Sequence, residues 1–442
     1  MKRAFLSGLS VAALLAASAV PLPAADLVLL GATVHPVSGP EIPDCTLIVE
    51  GTTITALGRG LAAPPGAPVL DVAGLHVYPA LLDANTVLGL VEVSSVPGTV
   101  DISEMGDINP NVRAEVAINP ESEILPVTMA NGILSAMIAP RGGTIAGTAA
   151  VIRLSGWTWE DMTIASPVGL VINWPDMRVQ RGPNARPEEE QIEQRDGRLR
   201  ELRAAFADAR AYVQAVGAEG TRGIPVHDRD PRWEAMRPVL DGKIPVLVAA
   251  DDILQIRAAL KFTEEEKLRL VLLANGDVWR VAPELAARHI PVILGPTHEL
   301  PSRRWEPYDE PFTVAKKLHE AGVRFCFSYG ASAFSAAHAR NLPYQAAMAA
   351  AYGLPKEEAL RGVTQYAAEI LGVSDRLGTL EPGKEATFIV TDGDPLEIRT
   401  QVKRAFMAGR EIDLHTRHTR LYEKYHARPR PAANLEPAAA QR

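Results

Sequence analysis

Cysteine is scarce in this sequence: Cys45 and Cys326 are the only two among 442 residues, and they fall in segments assigned below to different domains. That scarcity excludes a disulfide-built scaffold and a cysteine-rich metal module. Both sit in apolar, strand-like runs, so buried free thiols are expected. Aromatic residues make up 5% of the chain, and acidic and basic residues are interspersed with a net charge of -8, which excludes the basic footprint of a nucleic-acid binder. No Gly-x-Ser-x-Gly elbow, complete Walker loop or dinucleotide fingerprint occurs, and no His-x-His or His-Glu-x-x-His pair.

Long apolar runs are also absent after the first residues. Met1-Lys2-Arg3, the apolar stretch from Ala4 to Val20 and the small residues around Ala24-Ala25 have the three parts of a secretory signal peptide. An uncleaved anchor would need about 20 apolar residues. The expected protein is therefore exported, periplasmic or extracellular, with no membrane span after cleavage.

The remaining chain divides by texture. Short Gly- and Pro-punctuated strands fill 26–76, and the same texture returns at 375–413. One composite β-sandwich made from both ends is expected. Between them, over 77–374, continuous apolar strands alternate with helical patterns: Leu75 to Asp83, Ile133 to Ala139, Val168 to Asn173, Ile244 to Ala249, Leu268 to Ala274, Ile290 to Leu294 and Val323 to Ser328. Parallel strands covered on both faces by helices read this way. The expected fold is α/β, a (β/α)8 TIM-like barrel, with 85 to 165 irregular enough to hide a further strand. A doubly wound open sheet would give the same alternation. Residues 187 to 216 read as a long charged helix, and 414–442 as a partly disordered extension.

Several motifs bear on identity. The run Tyr78-Pro79-Ala80-Leu81-Leu82-Asp83-Ala84-Asn85-Thr86-Val87 resembles the first barrel strand of the amidohydrolase superfamily. Pro140-Arg141-Gly142-Gly143, Ile172-Asn173-Trp174-Pro175, Arg340-Asn341-Leu342-Pro343-Tyr344-Gln345 and Glu381-Pro382-Gly383-Lys384 are similar to the exported, imidazolonepropionase-like members. The resemblance implies a hydrolase of non-peptide C–N bonds using zinc or another divalent cation, with an aspartate at the eighth strand as proton shuttle.

At the positions where that resemblance implies ligands, this chain has other residues. Asn85 and Val87 stand for the first two histidines, Ala249 and Asn275 for the next two, and Gly330 or Ala331 for the aspartate. A carboxamide is a poor transition-metal ligand and an alkyl group is none, so the metal site is expected to be degenerate and no cofactor is expected unless the mechanism survives in altered form. The alternative is a non-catalytic protein that binds a small molecule, or the partner subunit of an intact homologue; homo- and hetero-oligomers are both open. Candidate pocket residues are Asp83, Glu92, Arg141, His298, Arg340 and Asn341, with the arginines offering forks for a carboxylate or phosphate. Asp101, Glu104, Asp251 and Asp252 are further carboxylates that would lie near the mouth.

Overall fold

The computed structural model describes residues 26–220, 223 and 226–429. The leader expected over 1–25 and the end of the tail lie outside the described residues.

Five strands open the chain: β1 (Leu27–Val34), β2 (Ile42–Glu50), β3 (Thr53–Arg59), β4 (Val69–Asp71) and β5 (His76–Pro79). Eight follow: β6 (Leu81–Thr86), β7 (Ile133–Ile138), β8 (Ile145–Arg153), β9 (Thr163–Asn173), β10 (Val246–Ala249), β11 (Leu270–Ala274), β12 (Val292–Leu294) and β13 (Phe325–Phe327). Three close it: β14 (Phe388–Thr391), β15 (Val402–Met407) and β16 (Arg410–Glu411).

The two ends share one hydrogen-bonded sheet, ordered β16-β15-β14-β5-β1-β2-β3, with β4 also paired to β1. Leu29, Leu47, Val77, Phe388 and Phe406 pack together in its core. Cys45 belongs to the same cluster and is unpaired. The stretch expected as one strand from Leu75 to Asp83 is two. The amide of Ala80 donates to Thr387 in the terminal sheet, and that of Leu81 donates to Gly132 at the start of β7. The chain changes sheets between these two residues, which pattern alone cannot reveal because both strands are apolar.

The second sheet runs β6 through β13 in sequence order and forms a nearly closed eight-stranded barrel. Alternate residues divide its two faces. Met137, Val151, Val171, Leu247, Val271, Ile293 and Cys326 pack in one cluster inside. Leu170, Val248, Leu272, Leu294 and Phe327 join Phe206, Ile256, Leu318 and Leu342 of the surrounding helices. Both faces are buried, which explains the unbroken apolar strands.

Strict β/α alternation fails at one place. β8 is antiparallel to both β7 and β9. Residues 139–144 are the whole connection from β7 to β8, and a parallel crossover needs a dozen or more residues. The hidden strand is therefore a hairpin partner, turned at Arg141-Gly142-Gly143. Gly143 has φ +73, and a Cβ there would meet the carbonyl oxygens of Gly106 and Asp107 at 2.8 and 2.9 Å. This glycine lets the turn lie against the loop after β6.

The helix expected over 187–216 spans Glu188–Gly217, with three glutamates in its first turn and Leu202, Phe206 and Ala209 on its buried face. The C-terminal extension contains an exposed helix, Arg417–His426, opened by a Thr416 capping box, that the charge-rich composition concealed. No helix among the described residues is long and apolar enough to cross a membrane.

Candidate functional site at the barrel mouth

The C-terminal ends of the barrel strands are joined into a ring by short polar contacts. Ser328, just past β13, donates from Oγ to the Asn85 carbonyl at 2.8 Å. The Tyr329 amide donates to the Asp83 carboxylate at 3.2 Å. Between the next strands, Asn275 Nδ2 donates to the Pro296 carbonyl at 2.9 Å, and the Asn275 amide donates to Asp251 Oδ1 at 2.7 Å. Asn173, at the end of β9, donates from Nδ2 to the carbonyls of Arg141 and Gly143.

Asp83 is fully buried beneath this ring. Burial pushes its carboxyl up to about 7, against hydrogen bonds from the Asn85 and Tyr329 amides that favour the charged form. Burial, followed by the nearby Asp83 charge, raises the Cys326 thiol well above its ordinary value, so it is an inert packing group.

At the ring itself, Asn85 keeps a buried Oδ1 that has no hydrogen-bond partner among the described residues. Val87 is fully buried in the larger apolar core. Ala249 is the last residue of β10, Asn275 follows β11, and Gly330 and Ala331 follow β13. Among the described residues no group of three His, Cys, Asp or Glu side chains is placed to hold a metal ion.

Arg141 and Asp251 are solvent-accessible yet closely surrounded by protein. Desolvation lowers the guanidinium pKa and Asp251 acts against that; desolvation raises the Asp251 carboxyl, against the Asn275 amide and Arg141. No carboxylate among the described residues lies within ion-pair distance of Arg141.

His298 follows β12, and its partner is Gln345. Gln345 Oε1 accepts from the backbone amides of Thr297 (2.7 Å) and His298 (2.9 Å), which can only donate. Its Nε2 must then donate to His298 Nδ1, at 2.9 Å. That bond leaves Nδ1 without a proton and puts the imidazole hydrogen on Nε2. Desolvation lowers the His298 pKa in the same sense. The sequence singled out His298 but not Gln345, although Gln345 lies inside a quoted motif; a buried glutamine in an alanine-rich helix gives no separate signal.

Three other candidates lie apart from the ring. Glu92 accepts from Ser122 Oγ and the Glu123 amide, tying down the approach to the helix Ile124–Met129. The Arg340 carbonyl accepts from Asn131 Nδ2, next to the N-terminal end of β7 and so at the far end of the barrel. Asn341 adjoins it, before the helix Leu342–Ala351, and makes no side-chain cap. These two belong to the outer helical layer, because the chain after β13 turns back along the barrel's outside.

Comparison with known proteins agrees with this architecture. The model for the amidohydrolase family matches residues 311–412. Amidohydrolase tasK of Hapsidospora irregularis is 23% identical over 376 residues, 80% of this chain and 38% of that protein. The chain thus spans well under half the length of that relative. Imidazolonepropionase of Hahella chejuensis (strain KCTC 2396) is 51% identical over 41 residues, 9% of this chain and 10% of that one. Among solved structures, an amidohydrolase from Thermotoga maritima MSB8 superposes with a TM-score of 0.77 at 25% identity, covering 88% of this chain and 99% of that one. With the barrel and the terminal sheet, the family match over residues 311–412 and the Thermotoga maritima structure support a place in the amidohydrolase superfamily.

Proposed function

We propose that this chain is an exported, imidazolonepropionase-like member that binds a small anionic molecule at the barrel mouth and does not carry out metal-dependent hydrolysis. The donor set at the strand ends carries this reading. A catalytic zinc needs about three protein ligands of the imidazole, thiolate or carboxylate type. Asn85, Val87, Ala249, Asn275, Gly330 and Ala331 supply two carboxamides and no such ligand, and the Asn275 amide is already committed to Pro296. The residues do not fit the metal. The terminal sheet is read as the composite β-sandwich of the family.

What remains at the mouth suits recognition. Arg141 presents a partly desolvated guanidinium with no carboxylate paired to it, the condition under which a cation gains most from an incoming anion. His298 offers Nε2–H as a neutral donor, and Asn85 Oδ1 is a buried acceptor awaiting a donor. The favoured ligand class is a small carboxylate that also bears an N–H or O–H group.

Thermal shift across a panel of small carboxylates tests this. A ligand at about 100 times its Kd stabilises by about 2.7 kcal/mol, and Arg141→Ala is expected to abolish that shift without changing the unliganded Tm. A shift that survives in Arg141→Ala would defeat the proposed site.

A further inference from the structure

A sizeable cavity lies at the opposite end of the barrel. It occupies about 630 Å3 among the residues that lead into β10 to β13, with Leu260, Leu270, Val271 and Ile290 in its walls. A second cavity of about 400 Å3 shares His289, Ile290 and Arg324 with it. The first volume falls within the range of small-molecule sites, roughly 300–1,000 Å3.

Three arginines line it, each held in place differently. Arg269 donates to the carbonyls of Gly242 and Lys243 at 3.1 and 3.2 Å, so its position is fixed by neutral groups. Arg324 lies over the Tyr366 ring, 3.8 Å from its centroid, and its nearest carboxylate, Glu369, is 3.9 Å away. Arg288 pairs with Glu264 at 3.1 Å. Three guanidinium groups thus face two carboxylates, and among the described residues Arg269 has no counter-ion. Stacking and carbonyl bonds have already restricted Arg324 and Arg269, so a fork–fork contact with a carboxylate would require little further ordering.

We propose that this end of the barrel is a second binding site, for an organic carboxylate with an apolar body: the head group on Arg269 and Arg324, the chain against Leu260, Leu270, Val271 and Ile290. The site is separate from the mouth and does not depend on the reading given to it.

Isothermal titration of the full chain with octanoate tests the proposal, with acetate and octanol as probes of head group and chain alone. Octanoate is expected to bind saturably, and acetate and octanol at least about tenfold more weakly. Loss of a charge-assisted hydrogen bond corresponds to about tenfold or more in affinity, so Arg269→Gln and Arg324→Gln should each weaken octanoate binding by at least that factor. Arg324→Lys should also weaken it, since a point charge replaces the fork. Arg141→Ala should leave it unchanged. Circular dichroism and Tm confirm folding of each variant, and the single variants are independent if one fails to fold. No saturable octanoate binding, unchanged affinity in the folded arginine variants, octanol binding as tightly as octanoate, or loss of binding in Arg141→Ala would each overturn it.

Discussion

Asp83→Asn will stabilise the protein at pH 8 by up to about 4 kcal/mol and change it little near pH 4. The folded carboxyl is pushed up to about 7 from an ordinary 3.8 by complete burial. Below pH 3.8 both folded and unfolded chains hold the proton, and burial carries no ionic penalty. As pH rises toward 7 the unfolded chain releases its proton first, so stability falls; above 7 both are ionised and the loss is complete. The gap between the two values corresponds to about 4 kcal/mol. Asparagine resembles the protonated acid: its Oδ1 can still accept from the Asn85 and Tyr329 amides, while Nδ2 takes the place of the O–H. Urea unfolding of both proteins across this range checks the result. Parallel pH profiles for the two would show that burial does not raise the Asp83 carboxyl in the fold.

Gln345→Leu will cost about 3 kcal/mol or more, although leucine has nearly the same size. Gln345 is buried, and its Oε1 is the acceptor for the amides of both Thr297 and His298. Each buried donor left without a partner costs about 1–3 kcal/mol. The midpoint of urea unfolding should fall with an unchanged slope. Gln345→Glu separates packing from tautomer control. A carboxylate still accepts from both amides, but it cannot donate to His298 Nδ1, so the imidazole should take a second proton and its pKa should rise. Nitrogen NMR should show His298 protonated only on Nε2 in the parent and on both nitrogens in Gln345→Glu at neutral pH. A proton on Nδ1 in the parent would contradict the arrangement.

Much of the barrel was legible because its strands are buried on both faces: Leu270–Ala274 and Phe325–Phe327 have no polar residue to interrupt them. β8 was not, since Ile145–Arg153 has a run of small residues from Ala146 to Ala150 and its direction depends on the length of the preceding connection rather than on its composition. The change of sheet at Ala80 and Leu81 is set by which carbonyl faces each amide, a tertiary fact. At the mouth, the positions of Asn85, Ala249 and Asn275 followed from strand ends. Arg340 was misplaced because a motif shows that residues belong together but not which end of a barrel they face. Gln345 was missed because its role is fixed by two backbone amides 47 and 48 residues away.

Under the proposed function, the strand ends supply no metal site. The most direct measurement is elemental analysis of the purified chain after incubation with excess zinc, manganese or iron and exhaustive dialysis, alongside an intact member of the superfamily. Far less than one metal ion per chain is expected, with no change in Tm on metal addition. Stoichiometric metal retained after dialysis, and lost when Asn85 or Asn275 is replaced by alanine, would contradict it.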